Sequence, residues 1–375
     1  MKRQARDRTD AYRPEPVKRI ELDGSRPAVR LVLICLFLAI GFTAIGLGVN
    51  SFLRSENGWT EIEPASAELN CSGDFIFLYN LGGKGLSATA EKKQLTLIYS
   101  SACEEAVDIF YISADSEENT EGAAGIKELN SNPNKTLQVH PALYTAFETV
   151  QKTGSRYPYY APVFEQYNTL FNCANDEEAA NFRPEQNPEL AEYFKEVCAF
   201  ASDEDSVNVV LLGDNILRLE VSAEYLAFAE ENGIDVYVSF YALTNAFVAD
   251  FLAERITEKD FTEGVISSYD GFTRCFCTSG EAMSLNVFSL ENGDAVITDR
   301  LDYSSPMNLA YLKTFPAAAS KEYYWYRTSD GEYITPFVDA ETGFYAPLLQ
   351  QAIKKDPQKT CGELALEAYD EITGG

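Results

Sequence analysis

Histidine is almost absent from this sequence, and that absence limits the chemistry it can perform. His140 is the single histidine among 375 residues, so a metal site built from several imidazole ligands is excluded. His140 could itself act as a base. Its place directly before Pro141, at the start of a helical pattern, instead favours a surface residue at a helix N-terminus.

Positive charge is also scarce and unevenly placed. The chain holds 30 lysines and arginines against 58 acids, a formal net charge of −28, and nine of the basic residues fall within residues 1–30. The rest of the chain is therefore strongly acidic and repels phosphate, whose binding depends on counterion release to lysine and arginine. This balance argues against nucleic acid as a partner and suits a basic one.

Charge of either sign is missing from residues 31–53, LVLICLFLAIGFTAIGLGVNSFL. A helix of about 20 apolar residues crosses a bilayer core of about 30 Å, and this run is longer than the apolar segment of a cleavable signal. Basic residues precede it, which predicts a cytoplasmic N-terminus. We predict a single-pass protein of the cell membrane with a basic cytoplasmic tail (1–30), a transmembrane anchor (31–53), a linker (54–72) and an extracytoplasmic domain (73–375).

The eight cysteines include seven outside the predicted anchor. Export permits disulfides, but an odd number leaves at least one thiol free or paired between chains. Cys275 and Cys277 lack a second pair of ligands at zinc-site spacing. Because alternate residues of a strand share a face, we expect these two thiols to pack side by side in the core.

The remaining chain mixes strand and helix patterns without strict alternation. The predicted strands are DFIFLYN, QLTLIYS, VNVVLL, NILRLEV, IDVYVSF, GVISSYD, MSLNVFSL, AVITD, YYWYR and YITPFVD. The predicted helices are HPALYTAFETVQK, PELAEYFKEVCAFA, SAEYLAFAEENG, residues 243–256, and two segments near 345–354 and 361–372. EEAVDIFYI fits either a helix or a buried strand. This mixture indicates one large α+β domain with a mostly antiparallel sheet.

Four stretches resemble, in order, motifs of the FAD:protein FMN transferase family, also called ApbE. They are GIKELNSNPNKTLQVHPALYTAFETVQKTG (125–154), YAPVFEQYNTLF (160–171), SFYALTNAFVAD (239–250) and PFVDAETG (336–343). The family counterparts contain a Leu-Asn pair before a helix, FDPTVGPLVNLW, DLGGIAKGYAVD and HIIDPRTG. The matching letters include Leu129-Asn130, Pro162, Asp250, Asp339 and Thr342-Gly343.

The resemblance implies an ApbE-like, flavin transferase-like domain with FAD and Mg²⁺ as cofactors. Enzymes of this family cleave FAD and attach FMN to a threonine or serine hydroxyl of a target protein, so an exported acceptor protein is the implied partner. The positions implied for flavin binding are Asn130, Asn245, Asp339 and Thr342. Those implied for the metal are Glu363 and Glu367, which match the acid and the threonine of the family's DALST stretch.

The chain departs from the family where the chemistry would be done. The family histidine, thought to assist proton transfer, is replaced by Pro336, and the family lysine is replaced by Asn245. Two glycines of a VNLGG turn, where the backbone approaches the ligand, are replaced by Tyr269 and Asp270. A side chain at such a turn crowds the approach.

Ordinary structural explanations fit the surviving positions as well. Asp339 and Thr342 suit a turn, because aspartate bonds its own backbone and Gly343 accepts positive φ. Glu363 and Glu367 would share a helix face with oxygens that suit a hard cation, yet Thr360-x-x-Glu363 also spells a capping box. The aromatic run 323–326 could stack on a flavin or pack in a core.

Two functions follow from these observations. The favoured one is a degenerate, non-catalytic relative of the transferases, a pseudo-enzyme acting as an exported binding module. The alternative is an active Mg²⁺-dependent FAD:protein FMN transferase that modifies threonine or serine of an exported target. Flavin binding separates the two, because an active transferase must bind FAD.

Overall fold

The computed structural model describes residues 58–65, 71–113 and 123–374. The predicted cytoplasmic tail (1–30) and transmembrane anchor (31–53) lie outside this part of the chain. Among the helices that are described, none is long and apolar enough to cross a membrane.

A six-stranded, fully antiparallel sheet forms the centre of the domain. Its strands, in spatial order, are β1 (Gly58–Glu61), β2 (Phe75–Leu81), β6 (Gly264–Ser268), β7 (Phe272–Cys275), β10 (Met307–Lys313) and β13 (Gln351–Asp356). In β2, buried residues alternate with more exposed ones, the period-two pattern of a strand with one face in the core. β1 lies within residues 54–72, the stretch predicted as a linker.

Smaller sheets flank this centre. β3 (Thr136–Gln138), β5 (Ile216–Val221) and β4 (Val207–Leu211) form an antiparallel three-stranded sheet in that order. β8 (Ala282–Glu291) and β9 (Asp294–Ser304) form a long ribbon with a register shift at Val287/Phe288. β11 (Tyr326–Arg327) and β12 (Tyr333–Ile334) form a short pair.

The helices of the described residues are α1 (Ala88–Phe110), α2 (Ile126–Ser131), α3 (Pro141–Thr153), α4 (Ala161–Phe171), α5 (Asp176–Ala179), α6 (Pro188–Ser202), α7 (Ala223–Asn232), α8 (Thr244–Thr257) and α9 (Cys361–Thr373). α8 contacts α1 on one side and β6 and β7 on the other, while α9 lies on β10 and β13 and contacts α8 and α3. α8 and α9 touch closely at Gly362, where a Cβ atom would come within 2.5 Å of the Phe247 ring.

The predicted α+β class and mostly antiparallel pairing are confirmed. The helix starts predicted from capping residues are also confirmed: the His140 imidazole accepts a hydrogen bond from the Ala142 amide, and the Asn187 side chain accepts from the amides of residues 189 and 190. Cys275 and Cys277 are buried side by side, as expected, with 3.9 Å between their Sγ atoms.

Three predicted elements are wrong. QLTLIYS, predicted as a strand, lies inside α1, because Leu95, Tyr99 and Ala102 continue a buried stripe at helical spacing along 23 residues. The helix predicted near 345–354 does not form: residues 351–354 belong to β13, which pairs with β10 over six residues. IDVYVSF forms no strand, because a side chain, described below, bonds its backbone in place of a neighbouring strand.

Candidate functional site

Hydrogen bonds link three side chains in the region where this sequence departs from the family motifs. Asn245, in the first turn of α8, donates from Nδ2 to Oδ2 of Asp270 at 2.8 Å. Its Oδ1 accepts from the Tyr111 hydroxyl at 3.0 Å. The amide that replaces the family lysine is therefore bonded at both ends to this chain's own residues.

Asp270 is the perturbed acid of this cluster. Burial raises its pKa from 3.8 to about 7, and the neighbouring Asp74 carboxylate acts in the same direction. Burial also raises the pKa of Tyr324, whose ring lies beside this acid. A carboxyl group that titrates near neutral pH is the kind of group that acid–base chemistry uses, so this acid is a functional candidate that a sequence pattern could not reveal.

Tyr241 packs beside this cluster, against Tyr324, and stands at a glycine position of the DLGGIAKGYAVD motif. Its φ is +40°, a conformation that glycine adopts freely and a tyrosine adopts only with strain. The ring is stacked on Phe164 with 5.2 Å between centroids and 2° between planes, and it lies 4.7 Å from the ring of Tyr324. The backbone at residue 241 thus has a conformation typical of glycine, although a tyrosine ring is packed there.

Little volume is left in the cleft beside Asp270 and Tyr324. The cavity there measures about 50 Å³, and its lining includes Ala242, Asp270, Lys313, Tyr324 and Pro336. Pockets for drug-sized ligands measure about 300–1,000 Å³. FAD is larger than such ligands, so this cavity as arranged does not hold it.

Pro336 lies in the wall of that cavity, at the position of the family histidine. Its carbonyl accepts a hydrogen bond from the Tyr369 hydroxyl at 3.2 Å, and its side chain has no group that can donate or accept a proton. Lys313 and Glu322 also line the cavity, with 4.0 Å between Nζ and Oε2. Glu322 is held by the amides of Ala317 and Ala318. No sequence pattern singled out either residue.

Asn130 is buried, and its side chain bonds only to backbone. Its Nδ2 donates to the carbonyls of Ile126 and Val238 at 2.9 and 2.8 Å. Its Oδ1 accepts from the amides of Tyr237 and Val238 at 2.7 and 3.0 Å. Both donors and both lone pairs of the amide are in use, so flavin binding by this residue stays a prediction that would require these bonds to break.

Asp339, Thr342 and Gly343 form a self-contained turn. Oδ1 of Asp339 accepts from the Thr342 amide at 2.8 Å and from its hydroxyl at 2.6 Å. These hydrogen bonds, with that of the Thr342 hydroxyl first, hold the pKa of Asp339 below its usual value. Gly343 has φ +70°, which completes the turn, and the turn meets α6 through Cys198 and Phe194.

The two glutamates predicted as metal ligands are paired with lysines. Oε2 of Glu363 lies 2.6 Å from Nζ of Lys152, and its Oε1 lies 3.8 Å from Nζ of Lys359. Lys359 also bonds Glu367, and that bond raises the lysine pKa. A cation would have to displace both ammonium groups, so this donor set does not fit Mg²⁺ as arranged. In the part of the chain that the structure describes, no group of three or more acids, cysteines or histidines could hold a metal ion.

Asp250, kept from the third motif, holds the start of α9. Its two carboxylate oxygens accept from the amides of Cys361 and Gly362 at 3.0 and 2.9 Å. Burial raises the pKa of this carboxyl group, while Arg274, 3.5 Å away, opposes that rise. A carboxylate at a helix N-terminus is stabilised by the helix dipole, so Asp250 is a structural acid.

Solved structures share this arrangement of elements. The crystal structure of the ApbE protein from Thermotoga maritima superposes with a TM-score of 0.53 at 10% identity, over 84% of this chain and 86% of that one. The flavin transferase ApbE from Vibrio cholerae gives 0.51 at 13% identity, over 84% and 86%. The chain has the fold of the ApbE flavin transferases. No protein-family model matches its sequence, and no curated protein does.

At this level of identity the likeness concerns the ApbE-like fold alone. The four sequence stretches therefore pointed to the right fold, although each was a weak match. The α+β domain predicted from them is confirmed, with its antiparallel sheets. The site residues and the metal stay predictions, and the contacts above describe what each would have to give up in order to bind a ligand.

Proposed function

We propose that this chain is an exported binding module that uses the ApbE-like fold without flavin transfer. The observation that carries the proposal is the small size of the cleft, about 50 Å³. Beside it the Tyr241 ring packs against Tyr324, and the trio Tyr111–Asn245–Asp270 is closed by hydrogen bonds. Flavin transfer needs a bound dinucleotide, and a cleft of this size holds none.

The missing groups support the same proposal. Pro336 and Asn245 can neither transfer a proton nor offer positive charge to a pyrophosphate. Catalytic groups that act as a unit are not replaced one at a time, and losing one costs several orders of magnitude in rate. Asp270, whose pKa burial raises to about 7, is bonded to Asn245 and faces a cavity of only about 50 Å³.

The proposed place of action is the outer face of the cell membrane, with residues 31–53 as the anchor and 73–375 outside. The proposed partner is a basic protein or peptide. The charge of −28 supports this choice, because a strongly acidic surface attracts cationic partners and raises their association rate.

The test is a titration of FAD into the full-length chain in detergent, with and without Mg²⁺, followed by flavin fluorescence. We expect no saturable binding. The informative variant is Tyr241→Gly, which should enlarge the cleft and relieve the positive-φ strain. The matched control is Trp59→Gly, which removes a ring that is 39% exposed and does not line this cavity.

Two results would refute the proposal. One is micromolar, Mg²⁺-dependent FAD binding by the unaltered chain that Glu363→Ala abolishes. The other is transfer of FMN to a threonine-bearing acceptor peptide. Either would support the alternative function, an active transferase whose cleft opens before FAD binds.

A further inference from the structure

A second cavity, separate from the filled cleft, lies between α3, α8, β7 and the start of α9. It measures about 300 Å³, at the lower end of the range for small-molecule sites. Its lining shares no residue with the filled cleft and includes none of the positions predicted for flavin or metal. An inference about this cavity therefore does not depend on the proposed function.

The polar centre of this cavity is the guanidinium of Arg274. Its only ion pair among the described residues is a long one, 3.5 Å from Nε to Oδ1 of Asp250. Nε is buried and makes no hydrogen bond within the described part of the chain. Asp250 is already committed to the amides that begin α9. The terminal N–H groups of the fork, on a side chain that is 29% exposed, thus remain for another acceptor. The buried Nε lacks the partner that buried donors normally have.

Four phenylalanines and four threonines make up more than half of the walls around this guanidinium. Phe247, Phe251 and Phe276 line the cavity together with Phe110, and threonines 145, 149, 257 and 360 supply hydroxyl groups. A planar guanidinium matches the two oxygens of a carboxylate, while the rings favour a flat apolar body. The site is thus built for a molecule with an acid at one end and a ring at the other.

The acidic residues of the cavity further limit which kind of anion Arg274 can bind. Asp250 and Glu254 line the same cavity, and the protein as a whole is strongly acidic. Two negative neighbours around one arginine repel a phosphate dianion more than a carboxylate monoanion. We propose that this cavity binds a small aromatic monocarboxylate, which forms a bidentate contact with the Arg274 guanidinium.

The experiment uses 4-fluorobenzoate as the probe and the full-length chain in non-ionic detergent, with binding followed by the broadening of the ¹⁹F resonance. A one-ring ligand of this size is expected to bind with a Kd on the order of 1 mM. The neutral isostere 4-fluorobenzyl alcohol should bind at least ~10-fold more weakly, since it lacks the charge-assisted contact. Inorganic phosphate should not displace the probe.

Two variants locate the site. Arg274→Gln should weaken binding ~10-fold or more, with Arg218→Gln, a strand arginine outside the cavity, as its matched control. Because Arg274→Gln also removes the partner of Asp250 and could disturb folding, Thr149→Trp fills the cavity while leaving Arg274 in place. Thr169→Trp, on the exposed side of α4, controls for the added ring.

The outcomes decide the proposal. Saturable broadening that Arg274→Gln and Thr149→Trp both reduce, and that both controls retain, supports it. No saturable broadening by the unaltered chain overturns it and leaves a water-filled cavity. Equal binding of the alcohol overturns the role of Arg274, and displacement by phosphate overturns the choice of a monocarboxylate.

Discussion

Asn130 allows the sharpest separation between a structural residue and a flavin ligand. The substitution Asn130→Ala removes an amide that bonds the carbonyl of Val238 and the amides of Tyr237 and Val238. All three backbone groups belong to the segment 234–240, which forms no strand. Leaving a buried backbone group without a partner costs about 1–1.5 kcal/mol at the low end of measured values. Three such groups predict a loss of ~3–4 kcal/mol in the free energy of unfolding.

The assay is urea unfolding of the full-length chain in detergent, followed by tryptophan fluorescence, with flavin fluorescence measured on the same samples. Ser131→Ala is the matched control, because Ser131 is the next residue of α2 and is exposed. We expect the control to change stability by less than ~0.5 kcal/mol. Neither variant should alter the response to FAD.

The result that would refute this reasoning is a folded Asn130→Ala protein of unchanged stability that has lost an affinity for FAD which the parent possesses. Asn130 would then contact the flavin, as the resemblance implies, and the segment 234–240 would be held by other contacts. A loss of stability without any flavin response supports the structural role.

Three further predictions follow from the same contacts. Burial raises the pKa of Asp270 to about 7, so the folded protein keeps a proton that the unfolded chain releases near pH 3.8, and the stabilisation from this group is complete below pH 3.8 and is lost as pH rises to about 7. Asp270→Asn should therefore narrow the difference between the melting temperatures at pH 5 and pH 8. An unchanged difference would contradict the raised pKa. Gly343→Ala places a Cβ 3.1 Å from Cys198 and Phe194 at φ +70° and should lower the free energy of unfolding, measured in urea, by ~2–4 kcal/mol. Gly83→Ala, where a Cβ meets open space, should leave it almost unchanged. Equal effects of the two substitutions would contradict the packed turn. Mg²⁺ should leave the melting temperature unchanged. Glu363→Gln should lower the free energy of unfolding by about 1 kcal/mol through the loss of a partly exposed ion pair. A Mg²⁺-induced rise in melting temperature that this substitution abolishes would support a metal site at Glu363.

Local signals predicted the elements whose ends are set by their own residues. Asn187 and Pro188 fixed the start of α6, because a capping side chain and a proline act within one turn. The failures came where distant residues decide. A helix was predicted near 345–354, but residues 351–354 are held as part of a strand by β10. The segment 234–240 has a strand composition but bonds the Asn130 side chain, more than 100 residues earlier.

Contacts between distant residues limited the prediction of the candidate site even more than that of the fold. The sequence located the positions where family letters had changed, such as Pro336 and Asn245, because an aligned motif exposes each substitution. It could not show that Tyr111, 134 residues before Asn245, bonds that amide. Nor could it show that Tyr241 stacks on Phe164, since neither contact leaves a spacing pattern in the chain. The filling of the cleft is a property of the fold, not of any single motif.

The motif letters that survive in this chain are explained by the fold alone. Asn130 bonds four backbone groups, Asp250 holds the first amides of α9, and Asp339 closes a turn on Thr342. Each is a contact that any protein with these elements needs, whether or not it binds a ligand. The matching letters thus carry information about folding, which is why four matches identified the fold and argue little for the reaction.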